Sequence, residues 1–167
     1  IIKSTGGCNS TATSTTVNTQ PATPTAPVTA VTQPTCATAT GTITVTVQNA
    51  GETYSFDNGT NFQASNIKSG LVAGSYNVII KSTGGCNSTA TSTTVNAQPA
   101  TPTAPVTGTI TQPTCAVATG SVILSGLPAG NWTINPGAIT GNTASTTISG
   151  LAAGTHNYTV TNAAGCT

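Results

Sequence analysis

The segment Gly41-Thr-Ile-Thr-Val-Thr-Val47 alternates polar and apolar positions without a break. Side chains of a strand point to opposite faces with a period of two. The pattern therefore predicts a half-buried β-strand with Ile43, Val45 and Val47 inward and the threonines outward. The same period returns at Thr53-Tyr-Ser-Phe56, with Tyr54 and Phe56 inward, and at Tyr76-Asn-Val-Ile-Ile80, with Tyr76, Val78 and Ile80 on one face. Val28–Thr32 predicts a short first strand, kinked at Gln33-Pro-Thr35 and continued by Cys36–Ala39. Phe62 and Ile67 fall in irregular strands, and Asn87–Val95 predicts the last one. Asp57-Asn-Gly59 and Gly84-Gly85 are turn signals. About seven short strands with alternating faces predict a small β-sandwich over residues 28–98.

The pattern then starts again. Thr119–Leu124, Trp132–Ile134, Ser145–Ile148 and Asn157–Val160 predict the strands of a second unit, with Trp132 in place of the Tyr54 and Phe56 pair. Residues 1–18 reappear unchanged as residues 79–96, and the identity runs on to Thr29 and Thr107 with one substitution, Thr19 against Ala97. Such a match means tandem duplication. The cysteines mark its period: Cys36 and Cys115 both stand in Thr-Gln-Pro-Thr-Cys, while Cys8, Cys86 and Cys166 all follow a glycine. The expected organisation is three parts. Residues 1–20 are the last two strands of a preceding repeat. Residues 21–98 are a complete immunoglobulin-like repeat with its proline-rich connector. Residues 99–167 are a following repeat that lacks its last strand. The chain thus begins in mid-repeat. The prolines at 21, 24 and 27, repeated at 99, 102 and 105, predict stiff connectors and an extended array.

Composition narrows the function. Three lysines, no arginine, Glu52 and Asp57 are all the charge in 167 residues. Nucleic-acid binding by counterion release has nothing to work with. Thr, Asn, Gly and Pro disfavour helices, and no apolar run reaches membrane-spanning length. Metal binding by the five cysteines would want close pairs or several histidines, and His156 is the only histidine. Disulfides in an oxidising, extracellular setting are the better reading.

Leu71-Val-Ala-Gly-Ser-Tyr76 and Leu151-Ala-Ala-Gly154 look like the turn before the sixth strand of immunoglobulin-like domains, where a tyrosine corner forms; His156 stands where Tyr76 stands. More specifically, Gln112-Pro-Thr-Cys115, Gly126-Leu-Pro-Ala-Gly-Asn-Trp-Thr-Ile134, Ile148-Ser-Gly-Leu-Ala-Ala-Gly154 and Thr159-Val-Thr-Asn-Ala-Ala-Gly-Cys166 resemble the tandem repeats of very large surface adhesins of Bacteroidota, of which the gliding-motility adhesins are the best known. The resemblance covers essentially the whole chain. It implies export by the type IX secretion system and display on, or release from, the cell surface.

Sites of chemistry are hard to build from these residues. Glycosidase catalysis needs two carboxylates across a cleft; Glu52 and Asp57 flank one predicted strand, and the second unit has neither. A Ser-His-Asp site would have to join His156 and Asp57 from different units, and His156 reads more simply as a hydrogen-bonded corner residue. Calcium-stiffened junctions use clustered carboxylates; here they hold Pro, Thr, Ala and Gln. Lys3, Lys68 and Lys81 read as solvated lysines rather than isopeptide donors, and Asn-x-Thr matches such as Asn131-Trp-Thr arise from composition. Tyr54, Phe56, Tyr76 and Trp132 read as core rather than as a sugar platform. No catalytic group, metal ligand or cofactor site is expected. The partners expected are neighbouring repeats or other copies of the chain.

These features together point to a structural array that spans distance outside the cell, an adhesin stalk or filament. A polysaccharide- or surface-binding module is the alternative, and ice binding through Thr42-Ile-Thr-Val-Thr46 a weaker third, since such rows must be flat and sandwich strands twist. The expected disulfides are Cys36–Cys86 and Cys115–Cys166, with Cys8 left unpaired. The continued first strand, opened by Cys36, is expected to run parallel to the last strand, opened by Cys86. Parallel neighbours entered from the same end bring their first residues close. Bridges across the connector, Cys8–Cys36 and Cys86–Cys115, are the rejected pairing.

Overall fold

Twelve strands and no helix make up the computed structural model, which describes residues 1–167. The first six are β1 (Thr29–Thr32), β2 (Gly41–Val45), β3 (Thr53–Ser55), β4 (Ile67–Leu71), β5 (Gly74–Lys81) and β6 (Thr91–Val95). They form two antiparallel sheets, in the orders β1-β2-β4 and β3-β5-β6. This is the strand order of an immunoglobulin-type sandwich without its D strand. The inward positions of the alternating segments meet between the sheets. Ile43, Val45, Tyr54, Phe56, Leu71, Val78, Ile80 and Val95 are the core, with Val31 and Tyr76 packed at its margin.

Three expectations for this unit change. Val47 is not inward: β2 stops at Val45, the Thr46 N–H turns to the Val28 carbonyl, and Val47 lies 57% exposed beyond the sheet. Cys36–Ala39 is a closed turn and not a continuation of β1, because Thr35 and Thr38 exchange backbone hydrogen bonds. The last strand begins at Thr91, since the preceding Ser88 turns its hydroxyl inward to accept the Ile80 N–H at 3.0 Å. The sandwich therefore has six strands rather than seven.

The second unit repeats the plan with β7 (Val106–Thr111), β8 (Gly120–Ser125), β9 (Trp132–Asn135), β10 (Ile139–Gly141), β11 (Ser145–Leu151) and β12 (Thr159–Asn162). Its sheets run β7-β8-β11 and β10-β9-β12. The short β10 has no forerunner in the pattern reading. Val122, Leu124, Leu127, Trp132, Ile134, Ile148 and Val160 form a second core that shares no residue with the first. The Trp132 ring packs against Gly141, where a Cβ would collide with it, and its indole N–H donates to the Thr143 carbonyl at 2.8 Å.

No strand of the second unit corresponds to β6, and its absence is visible in the backbone. The first half of β5, Gly74–Val78, is a strand because it pairs with β6. The matching residues Gly154–Tyr158 have no ladder partner and adopt no regular structure. Residues 1–20 do not form the two expected strands either. A single bridge, Lys3 to Asn9, closes the turn at Gly6-Gly7, and the rest is exposed coil. A strand needs a partner for its N–H and C=O groups, and nothing in this chain supplies one there.

Candidate functional site

Two small loops, each present more than once, carry the cysteines. In the first type, the Ser82 N–H donates to the Cys86 carbonyl, the Ser82 carbonyl accepts the Gly85 N–H, and the Ser82 hydroxyl accepts the Cys86 N–H. Gly85 sits at φ +84°, which turns the chain back at low steric cost. Ser4, Gly7 and Cys8 repeat this network, and Asn162, Gly165 and Cys166 repeat it with an amide in place of the hydroxyl. In the second type, Thr35 and Thr38 bracket Cys36, as Thr114 and Val117 bracket Cys115.

The two loop types lie at opposite ends of a sandwich. Strands β1 and β6 run side by side in the same direction: the Thr91 hydroxyl donates to the Pro27 carbonyl, Thr29 and Thr93 share a hydrogen bond, and the Gln33 amide clamps Thr94 and Asn96. Cys36 follows β1, at the end where the chain leaves the sandwich. Cys86 precedes β6, at the end where the chain enters. The Pro21 carbonyl of the entering connector accepts from the Cys86 thiol at 3.5 Å.

This arrangement overturns the expected pairing. Cys36 is bonded to Cys166 of the next sandwich, with Cα atoms 5.4 Å apart and a sequence separation of 130. Cys86 and Cys115 are free thiols, as is Cys8. The expectation that first and last strands run parallel holds, but it places Cys36 past the far end of β6 and Cys86 before its near end. Some ten extended residues, or roughly 30 Å at strand rise, separate the two. Neither Cys36–Cys86 nor Cys115–Cys166 can close, and the bridges Cys8–Cys36 and Cys86–Cys115 do not form either.

The bond crosses a joint that the connector also ties down. Gln98 donates its amide to the Cys36 carbonyl at 2.9 Å, and Asn162 donates to the Ala100 carbonyl at 2.9 Å. The Cys166 sulfur lies 3.8 Å from the Pro99 carbonyl oxygen, so Pro99 stands to Cys166 as Pro21 stands to Cys86. Cys8 is exposed, Cys86 beside the Pro21 carbonyl is half-buried, and Cys166, bonded to Cys36 beside the Pro99 carbonyl, is 1% exposed. The sequence signal for this was present in the repeated Gln-Pro after each last strand, Gln20-Pro21 and Gln98-Pro99, but it says nothing of which end of a sandwich a loop occupies.

The remaining polar residues do local work. Asp57 accepts from the Ser55 hydroxyl at 2.7 Å, the Asn61 N–H at 2.9 Å and the Asn61 amide at 2.7 Å. These donors, the Asn61 backbone first, lower its carboxyl pKa to about 2. Glu52 accepts from the Asn49 N–H and side-chain amide. Burial, with a smaller contribution from Glu52, pushes the Tyr54 phenol up. The Tyr76 hydroxyl donates to the Val72 carbonyl at 2.8 Å, and a His156 ring nitrogen lies 2.9 Å from the Ala152 carbonyl. Both corners form, and His156 is spent on one of them, far in sequence from Asp57. Tyr54, Phe56 and Trp132 are core residues, and Phe62 lies half-buried under the Lys81 ammonium, 3.7 Å from the ring centre. No helix is long and apolar enough to cross a membrane. No protein-family model and no curated protein sequence matches the chain.

Proposed function

We propose that the chain is part of the structural repeat region of an extracellular adhesin stalk or filament, which spans the distance between a cell surface and its target. The observation that carries this reading is the Cys36–Cys166 bond. It joins the exit end of one sandwich to the entry end of the next, beside a proline-rich connector that already links them. A string of domains gains a fixed direction from a covalent tie at such a joint. The disulfide also supports an oxidising location, outside the cytosol. The threonine-rich outer faces and near absence of charge support a surface that makes few ionic contacts. The resemblance to Bacteroidota surface adhesins supports the same role in a secreted, surface-displayed protein.

The test is protease shaving of intact source cells, followed by electron microscopy of the released material. Peptides of this repeat in the shaved fraction, and strings of small beads in the images, are the expected result. Repeats that remain protected until the cells are broken would overturn the reading.

A further inference from the structure

The charge of the first sandwich gathers round one opening. Apart from Lys3, the charged side chains of the chain are Glu52, Asp57, Lys68 and Lys81, all in that sandwich. A cleft of about 180 Å³ opens there, lined by residues of β3, β4, β5 and the loop that follows β3. Its floor is the buried pair Tyr54 and Phe56, and Phe62 and Tyr76 are half-buried beside it. Asp57 and Lys68 line the cleft directly. Lys81 lies over the Phe62 ring, and Glu52 acts on the Tyr54 phenol.

Lys68 is the least expected of the four. It stands opposite Ile43 in the ladder, and opposed residues share one face of a sheet, so it is set on the inner face of the sandwich. In the second sandwich Ile148 stands opposite Val122 in the same way and is buried core. The plan of the sandwich therefore does not require a lysine there. An inward charge on an edge strand can guard against edge-to-edge pairing, yet the equivalent edge strand β11 does without one.

The loop wall is rigid and rich in acceptors. Asn61 gives its N–H and its side-chain amide to Asp57, and Gln63 gives its amide to the Ser65 and Ile67 carbonyls, both at 2.8 Å. The amide nitrogens must face these acceptors, so the side-chain oxygens of Asn61 and Gln63 are left to accept from a ligand. Asp57 accepts three hydrogen bonds, from Ser55 and Asn61, and a carboxylate has room for about one more. Lys68 adds a charged donor. The four charges are two of each sign, so the cleft selects no net charge. We propose that this cleft binds a neutral hexose unit of a polysaccharide: its hydroxyls donate to Asp57, Asn61 and Gln63, the Lys68 ammonium donates to one of its oxygens, and its C–H face rests on the ring of Phe62. A zwitterionic amino acid also balances the charges, but it would leave the Asn61 and Gln63 oxygens without donors. The site goes beyond the stalk reading and does not depend on it, since that reading rests on the joint and this one on the cleft.

The experiment titrates the whole isotope-labelled chain with maltotriose, cellotriose and β-1,4-mannotriose, followed by amide NMR that includes the Asn61 and Gln63 side chains. The expected result is saturable binding of at least one trisaccharide with a Kd on the order of 1 mM. It should move the resonances of Asn61, Phe62, Gln63 and Lys68 and leave the second sandwich unchanged. Lys68→Ile, which borrows the residue of the second sandwich, should weaken binding at least about tenfold. Lys68→Ala should do the same, which separates loss of the ammonium from filling of the cleft. Lys68 is exposed, so both variants stay folded, and their spectra away from the cleft should match the parent's. Lys3→Gln removes the same charge outside the cleft and should bind as the parent does. The proposal is overturned if no trisaccharide moves the cleft resonances, if the shifts spread equally over the second sandwich, or if Lys68→Ala binds as the parent does. A larger response of the same residues to free leucine would overturn it in favour of an amino-acid site.

Discussion

Asp57 shows how much a single residue can be held by its own loop. The Asp57-Asn-Gly59 turn was legible in the sequence, and Asn58 and Gly59 take the positive φ values, 59° and 85°, that such a turn requires. The convergence of Ser55 and Asn61 on the carboxylate was not, because it depends on where β3 leaves the loop. The folded carboxyl pKa, about 2, lies below the ordinary 3.8. Its stabilising effect is therefore complete above the unfolded value and is lost as pH falls through about 2. A carboxyl-carbon NMR titration should show Asp57 still ionised at pH 3, and a midpoint near 3.8 would contradict the network. The corner residues were more readable, since Leu-x-Ala-Gly followed by Tyr76 or His156 marks the side chain that closes each corner, although the acceptors, Val72 and Ala152, emerge only from the fold. Tyr76→Phe removes one exposed hydrogen bond and should cost the first sandwich about 1 kcal/mol in urea denaturation.

Elements depend on their partners as much as on their own residues. β6 and residues 13–17 have one sequence and two fates, because Gly74–Val78 pairs with one and nothing in the chain pairs with the other. Strand preference is a measure of fit to a pleated, half-buried surface, and local composition alone cannot report it. The same reasoning explains why β2, β3, β5, β8 and β9 were legible from their period, while the unforeseen β10 exists only as an edge to β9. It yields a matched pair of variants. Val95→Ala removes packing over Gly41 and should destabilise the first sandwich by about 2 kcal/mol. Val17→Ala, in identical neighbours, should leave the denaturation of the dilute single chain within about 0.5 kcal/mol of the parent. Equal effects on the two would refute the assignment of Val95 as core and Val17 as surface.

At the scale of the whole molecule, the two sandwiches were legible as a repeat, yet the bond that joins them was not. Period, turn chemistry and strand direction are all local properties; the end of a sandwich on which a loop emerges depends on where each strand stops. Since each sandwich has its own core, loss of the bond should leave both folded. Cys36→Ser is expected to melt by Trp132 fluorescence as the parent does, and a large loss would mean that the second core depends on the tie. The bond has a different consequence when the ends are pulled. Tension entering at Ile1 passes along the connector and β1 to Cys36, crosses the sulfur bridge to Cys166, and leaves at Thr167. The residues between, which include nearly all of both cores, hang outside the load path as a closed side loop. Unfolding either sandwich then adds little length. In optical-trap stretching, the oxidised chain should never release the 130-residue span, and a thiol reductant should add about 450 Å of contour. The bridge makes a soft protein into a short, nearly inextensible strap, whose breaking point is set by a covalent bond and no longer by the stability of a small β-sandwich.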